Sequence, residues 1–494
     1  VSSLNKIVNI GISSLRAHQV GLNVTGNNIA NVNTPGYSRQ RANLTPGLTV
    51  NGLGSGVQFG ALTRARDLVL DRQHRYEAGQ LGKIEFLENA MSAVEAIFTE
   101  VAGGGSTETG AIFNQTSGAA LSGAFSRFFN GLQDLANNPE SQANRAAVKE
   151  EGSLLTEQFH RMDSQLSLMR EDLEREFTTT VEQVNKLTSE IARLNARILS
   201  DKQDTASIAG NLDDERDRLI DELSTLIDVS AKEQSDGTYI ITGDAGQGIL
   251  LVDKGVSSEL AVTPLVREGA IVSDLVIVNY KTLGAGDGHR TENGARIEVN
   301  AGRLAGILEA RDDKLTSFQN TLDEVARVFV DRFNIQHASG FGRDGSSNNL
   351  FFDAGSVSAR TIRVADTVLT NMDKIATASP NPTNASITAG TGDGSNALAL
   401  SDIRQERLFG GGTQTVEEFY SDFIGEIGAE AKKAFTQGES QRLVLGQVNS
   451  RRENLRGVSI NEEAAQLIIF QRAYQAAARL VSVADQMMQS ILDI

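Results

Sequence analysis

Ile460, Leu467, Phe470, Tyr474, Ala477, Val481, Ala484, Met488 and Ile491 recur at steps of three and four almost to the end of the chain. Such spacing lines up one stripe of a helix and, when sustained, makes a coiled-coil seam. Ser459, with Glu462 three places on, reads as a capping box at its start. At the other end Leu4, Val8, Gly11, Leu15, His18, Leu22, Thr25 and Ile29 form a second, less regular stripe. Thr34, Pro35 and Gly36 end it, because the residue before proline avoids the α region and Pro-Gly favours a turn. Both termini are thus expected to be helices with apolar faces that need a partner, and to pair as an inner coiled-coil domain.

Between the ends the same periodicity predicts a helix from about Arg66 to Phe98. A long one runs through Leu155, Phe159, Met162, Leu166, Met169, Leu173, Phe177, Val184, Leu187, Ile191, Leu194 and Ile198. A four-four step from Leu173 through Phe177 to Val181 shifts its seam as a stutter does. At ~1.5 Å per residue the span is roughly 65 Å, which predicts a rod-like body. A shorter helix is expected over Asn211 to Asp228. The runs "GTYIITG", "GILLVD", "DLVIVNY" and "ARIEV" then read as strands between Gly, Asp and Ser turns. A helical pattern returns from Leu304 to Phe333, the Ser/Thr/Asn/Gly-rich stretch Ser379 to Asn396 reads as loop or a loose lobe, and helices resume after Gln414. The expected fold is multidomain and mainly α. Residues 1–33 with 459–494 make the terminal coiled coil, 34–228 with 301–458 a helical rod, 229–300 an inserted small β domain that could be removed without harm to the helices, and 355–402 a polar loop or small lobe.

Composition narrows the partners. The 494 residues carry a net charge of -17 with a pI near 4.9, which argues against nucleic acid or an anionic membrane surface, since both need a basic face. There is no cysteine, so disulfides, thiolate metal sites and Cys nucleophiles are excluded. The first residues lack a basic stretch followed by an apolar one, and no run approaches the ~18 apolar residues of a membrane span; export, if it occurs, is expected without a cleaved signal.

Candidate chemistry is sparse. His18, His74, His160, His289 and His337 show no metal-ligand spacing and are expected to be structural or on the surface. "GAGDGHR", Gly284 to Arg290, lacks the third glycine of a dinucleotide loop and reads as a turn. "GRDGSSNNLFFD", Gly342 to Asp353, alternates Asp344, Ser346 and Asn348 but lacks the central Gly and closing Glu of a calcium loop. The carboxylates of "LDDERDRLIDEL" stand within a turn of Arg216 and Arg218, the pattern of a solvated, salt-bridged helix face. No nucleophile has a supporting context. No catalytic residue, metal or cofactor is expected.

Asparagine is the exception to this blandness. Five fall between Asn23 and Asn33, although asparagine weakens a helix by competing for backbone hydrogen bonds. The stretch "NNIANVNTPGYSRQ", Asn27 to Gln40, resembles the signature of the flagellar rod, hook and hook-associated proteins, with Asn31, Thr34, Pro35, Gly36 and Tyr37 at the motif turn. "GLGSGVQFGALTRARDLVLDRQHR" resembles the segment that follows it in that family, and "SINEEAAQLIIFQRAYQAAARLVSVADQMMQSIL" the C-terminal helix. "NLDDERDRLIDELSTLIDV" with "SDGTYIITGDAGQGILLV" is similar to the hook-associated members. The resemblance implies a structural, non-enzymatic component of the flagellum at the hook-filament junction, secreted through the flagellar type III apparatus and assembling into a ring. It implies contacts with hook protein and a second junction protein, and an export chaperone at the C-terminal helix. The assembly interface is then expected at Leu4, Val8, Leu15, Leu22, Ile29, Leu467, Phe470, Tyr474, Ala477, Val481, Ala484, Met488 and Ile491. A segment kept marginal by Asn, Gly and Ser suits passage unfolded through a narrow channel and folding against neighbours afterwards. The alternatives are another axial component, such as hook protein, or a secreted enzyme carried on a flagellar-type export end.

Overall fold

The computed structural model describes residues 2–47, 54–99, 121–204, 209–243, 249–267, 270–278 and 298–492. Along the chain come α1 (Ser2–Ala30), the hairpin β1 (Gln40–Pro46) and β2 (Val57–Arg64), α2 (Leu68–Thr99), α3 (Leu121–Asn137), α4 (Gln142–Asp204) and α5 (Ala209–Leu226). Strands β3 (Val229–Glu233), β4 (Tyr239–Gly243), β5 (Ile249–Asp253), β6 (Val256–Ser257), β7 (Glu259–Arg267) and β8 (Ala270–Val278) follow. Next are α6 (Gly302–Leu308), a π-helical turn (Glu309–Lys314), α7 (Leu315–Ser339), α8 (Asp366–Thr370), β9 (Pro380–Asn381), β10 (Asn384–Thr388), α9 (Ser395–Asp402), α10 (Val416–Arg456) and α11 (Ile460–Leu492). The fold is mainly α, as the periodicities predict. "GAGDGHR" lies outside the described residues, as does most of "ARIEV".

α4 runs for 63 residues because nothing in it stops a helix: it has no proline and one glycine, and Ser141 Oγ caps its start by accepting from the Asn144 N–H at 3.2 Å. The expected stripe is its buried face. Leu155, Phe159, Met162, Leu166, Leu173, Phe177, Val181, Val184, Leu187, Ile191 and Ile198 are buried, with Met169 and Leu194 half-buried.

The chain divides into two compact units, residues 1–83, 178–305 and 439–494 in the first and 84–177 with 306–438 in the second. In the first unit α1 packs antiparallel on α11, β1 pairs antiparallel with β2, and the order β3-β4-β5-β6 makes a four-stranded sheet beside the two-stranded β7-β8 ladder. The strands are not set apart from the helices as the sequence suggests. Asn195 of α4 donates to the Tyr239 carbonyl at 2.9 Å and accepts from its N–H at 3.1 Å, while Asn185 does the same for Leu260 at 2.8 Å each way. Removal of 229–300 would strip these hydrogen bonds from the half-buried Asn185 and from the buried Asn195, leaving Asn195 Nδ2 without its acceptor, which is costly.

The second unit is built on phenylalanine. Aromatics are scarce, yet Phe125, Phe128 and Phe129 of α3, Phe159 of α4, Phe329 and Phe333 of α7, and Phe351 and Phe352 all meet in one core, mostly edge to face. α3 was not marked by the stripes named above, although Leu121, Ala124, Phe125, Phe128, Leu132 and Leu135 carry the helical period and are buried. The helix expected from Leu304 to Phe333 is interrupted by the π turn, where the buried Arg311 reaches Glu174 at 3.1 Å and lies over the Phe177 ring at 5.3 Å.

The polar stretch after Gly355 is folded into this unit, with a short β9-β10 hairpin and α9. Two buried cation-capable side chains supply hydrogen bonds that apolar packing could not. Arg145 donates to the carbonyls of Pro139, Met372 and Ile375 and to Thr377 Oγ1. His337 donates from Nδ1 to the Asn349 carbonyl at 2.8 Å and accepts at Nε2 from the Ala376 N–H at 3.0 Å. Asp344 spends its carboxylate on its own turn, accepting from the Ser346 N–H and Oγ.

Burial holds the His337 imidazole neutral, with its pKa lowered to about 4, against a small opposing contribution from Asn349, and Arg145 lowers it further. The free chain protonates near 6.5. Because the folded state takes up the proton at lower pH, this stabilisation is complete above pH 6.5 and is lost as pH falls toward 4. The second unit should lose about 3 kcal/mol over that window from this group. Urea titrations of His337→Gln against the parent should show a flatter pH dependence between 6.5 and 4; parallel curves would contradict the assignment.

Candidate functional site

The N-terminal motif folds into a turn that its residue types dictate. The Tyr37 N–H donates to the Thr34 carbonyl at 3.2 Å, with Pro35 and Gly36 between them and Gly36 at φ 83°. Proline first and a left-handed glycine second is the requirement of a type II turn. The asparagines are spent here. Asn31 donates to the Asn27 carbonyl at 2.9 Å and side chain at 3.0 Å, and accepts from Thr34 Oγ1. Asn28, 1% exposed, uses all of its capacity: Nδ2 donates to the Gln40 carbonyl and to Glu463 Oε2, both at 2.9 Å, and Oδ1 accepts from Tyr37 Oη at 2.8 Å and the Gln40 N–H at 3.0 Å. Burial, with Asp214 and Glu463 nearby, pushes the Tyr37 hydroxyl well above its usual range.

Arg39 joins the turn to α11 through Glu463 Oε1 and Glu462 Oε2, each at 2.6 Å. Glu462 therefore takes a guanidinium where the sequence suggests a capping box. The Arg39 N–H also donates to the Arg456 carbonyl at 2.9 Å, at the end of α10.

Above this base α1 and α11 pair, with Gly11 and Thr25 of the expected α1 stripe buried and the seam extended to one side of that stripe by Ala17, Gly21 and Asn28. The predicted apolar positions of α1, Leu4, Val8, Leu15, Leu22 and Ile29, are only half-buried, whereas Gly11, Ala17, Gly21, Thr25 and Asn28 are buried. α1 offers a face of small residues into which the large ones of α11 fit. A Cβ on Gly11 would lie 2.5 Å from Val481 Cγ2, and one on Gly21 2.8 Å from the Phe470 ring. On α11 the predicted stripe is the packed one: Ala477 and Ala484 are buried, Leu467, Phe470, Tyr474, Val481 and Met488 half-buried, and Ile491 exposed. At the turn Asn31, Gly36 and Tyr37 are half-buried, Thr34 and Pro35 exposed. His18 stands 6.2 Å from the Phe470 ring, and burial lowers its pKa.

Below the turn lies a buried ionic core. α5 was expected to carry a solvated salt-bridged face, and Arg218 with Glu215 and Glu222 is one. The opposite face is not. Asp217 accepts from Arg64 at 2.8 Å, Arg66 at 3.0 Å and Arg75 at 3.3 Å, and Asp214 from Arg64 at 2.8 Å and the Ser38 N–H at 3.1 Å. Asp221 takes Arg75 at 2.8 Å and Arg452 at 2.6 Å, and Asp71 takes Arg452 at 2.6 Å and Arg66 at 2.9 Å. Arg66 also donates to Tyr239 Oη at 2.8 Å, and the fully buried Arg216 lies 4.5 Å over the Tyr239 ring. Burial alone would raise the Asp217 carboxyl, but Arg64, Arg66, Arg75 and Arg216 outweigh it and hold it to about 2. Asp214 goes the other way, raised by burial against Arg64. Burial and Asp217 push the Tyr239 hydroxyl up to about 12. Between the motif turn and this network is a cavity of about 240 Å³. His74 lines it, its Nδ1 lacks a hydrogen-bond partner among the described residues, and burial lowers its pKa.

Among the described residues no group of three or more His, Cys, Asp or Glu has the arrangement of a metal site, and no helix is long and apolar enough to cross a membrane. What the geometry builds is an antiparallel terminal helix pair clasped to an ionic core.

Residues 107–352 match the family model described as the flagellar hook-associated protein FlgK helical domain, residues 9–37 that of the flagella basal body rod protein, and residues 456–494 that of the flagellar basal body rod FlgEFG protein C-terminal region. The chain belongs to the flagellar rod, hook and hook-associated protein family. Within it, the similarity is to flagellar hook-associated protein 1. That of Bacillus subtilis is 28% identical over 517 residues, covering 97% of this chain and 96% of its own, and that of Salmonella typhimurium 24% identical over 579 residues, covering 99% and 100%. The fold is similar to the flagellar hook junction protein FlgK from Burkholderia pseudomallei, with a TM-score of 0.64 and 18% identity over 77% of this chain and 99% of that one.

Proposed function

We propose that this chain is the structural protein that joins hook to filament in the bacterial flagellum, leaving the cell through the flagellar type III apparatus and assembling as a ring through its terminal helices. The observation that carries this reading is a second apolar stripe on α11, left uncovered when α1 has taken the first. Ile469, Leu480, Val483 and Met487 are all exposed, from 41% to 56%. A helix apolar on two faces needs two partners. α1 is one, and neighbouring copies are the other. Hook protein below and a second junction protein above are the proposed axial contacts. An export chaperone would cover the same α11 stripes before secretion, since they are the surface most prone to premature association. Residues 1–33 with 459–494 form the proposed assembly module, and 34–228 with 301–458 the body that carries it. No enzymatic activity is part of this reading.

Deletion of the gene should leave hooks without filaments and flagellin in the medium, both visible by electron microscopy and by blotting the culture fluid. Expression of this chain should restore filaments. Intact filaments in the deletion strain would rule the reading out.

A further inference from the structure

We propose that Glu463 is the positioning residue of the terminal helix pair, the contact from which α11 closes onto α1. Glu463 is 2% exposed and meets Asn28 Nδ2 at 2.9 Å and Arg39 Nε at 2.6 Å. The Gly11–Val481, Gly21–Phe470 and Asn28–Glu463 contacts follow one antiparallel register, with Glu463 at its base, in the first turn of α11. At that point the two chain segments are already held together, because the Arg39 N–H donates to the Arg456 carbonyl, four residues before α11 begins. Loop closure therefore costs least there and more at every position toward the free ends. A buried carboxylate is unfavourable until its partners are in place. Asn28 is held for it by Tyr37 and Gln40, so the start of α11 orders only when the last turn of α1 and the motif turn have formed. The apolar contacts further up lack that requirement and follow. Glu462, 63% exposed at its side chain, makes its bridge to Arg39 in water, where such a pair contributes little.

The inference rests on the reading that α1 and α11 act as a pair, but its test needs no hook, so the two can fail separately. A Cβ on Gly11 would lie 3.7 Å from Val481 Cβ, a separation a disulfide can span, and the chain has no other cysteine. In the purified full-length chain carrying Gly11→Cys and Val481→Cys, the glutathione equilibrium measures the effective concentration of the two thiols. Adding Glu463→Ala should lower it about tenfold, the loss of a buried charge-assisted hydrogen bond. Glu463→Gln, which keeps an acceptor for Asn28, should lower it about threefold, and Glu462→Ala less than twofold. Hydrogen exchange of α5 should be unchanged throughout. The proposal is overturned if Glu463→Ala stays within twofold of the parent, if Glu462→Ala matches it, or if α5 loses protection along with the helix pair.

Discussion

Asp217→Ala should destabilise the first unit by about 3–5 kcal/mol, because it leaves Arg64, Arg66 and Arg75 buried around a missing charge. Truncating one partner of a buried ion cluster costs far more than the cluster contributes against an apolar core, since the remaining charges keep their desolvation penalty. Asp217→Asn keeps the shape and should lie between. The acid limb adds a second signature. With the folded carboxyl at about 2 and the free one near 3.8, its stabilisation is complete above about pH 3.8 and lost as pH falls toward 2. The variant should lack that part of the acid dependence. Hydrogen exchange resolves the outcome by region: protection should fall in α2, α5 and β4 and persist in α3 and α7. A first unit within 1 kcal/mol of the parent would show that the ionic core is not what holds these elements together.

Val481→Asp should abolish filament formation and loosen the α1–α11 pair while leaving the ionic core and the second unit as stable as before. The Val481 methyl fills the space left by Gly11, so an aspartate there faces the α1 backbone. In a single copy the site is half-buried and water can reach it. Once neighbours cover α11, the carboxylate would be buried unpaired at a cost of several kcal/mol, on the order of the whole contact. The urea midpoint of the second unit should move by less than about 0.5 kcal/mol equivalent, while cells should be non-motile in soft agar and shed flagellin. Tyr474→Asp, on the same stripe, should behave alike. Normal swimming with Val481→Asp would mean that α11 does not carry assembly.

What the sequence determined by itself is what depends on neighbours in the chain. The three-four spacing from Leu467 to Met488 fixed the packed face of α11, the Pro35-Gly36 pair fixed a turn, and the absence of proline let α4 run its full length. These are backbone and period constraints, satisfied within a few residues. The motif at Asn27 to Gln40 was also legible, though the job of Asn28 was not. Its four partners come from Tyr37, Gln40 and, 435 positions away, Glu463. Tertiary structure decided that the small residues of α1 carry the packing, because Gly11, Gly21 and Thr25 look weak by hydrophobicity and make a tight seam only when Phe470 and Val481 fill it. It also decided the fate of "LDDERDRLIDEL". The same letters serve a wet face at Arg218 and a dry core at Asp217, and the difference is whether Arg64, Arg75 and Arg452, brought in from other elements, replace the water. Desolvation is a property of what surrounds a charge, and a one-dimensional pattern does not contain its surroundings.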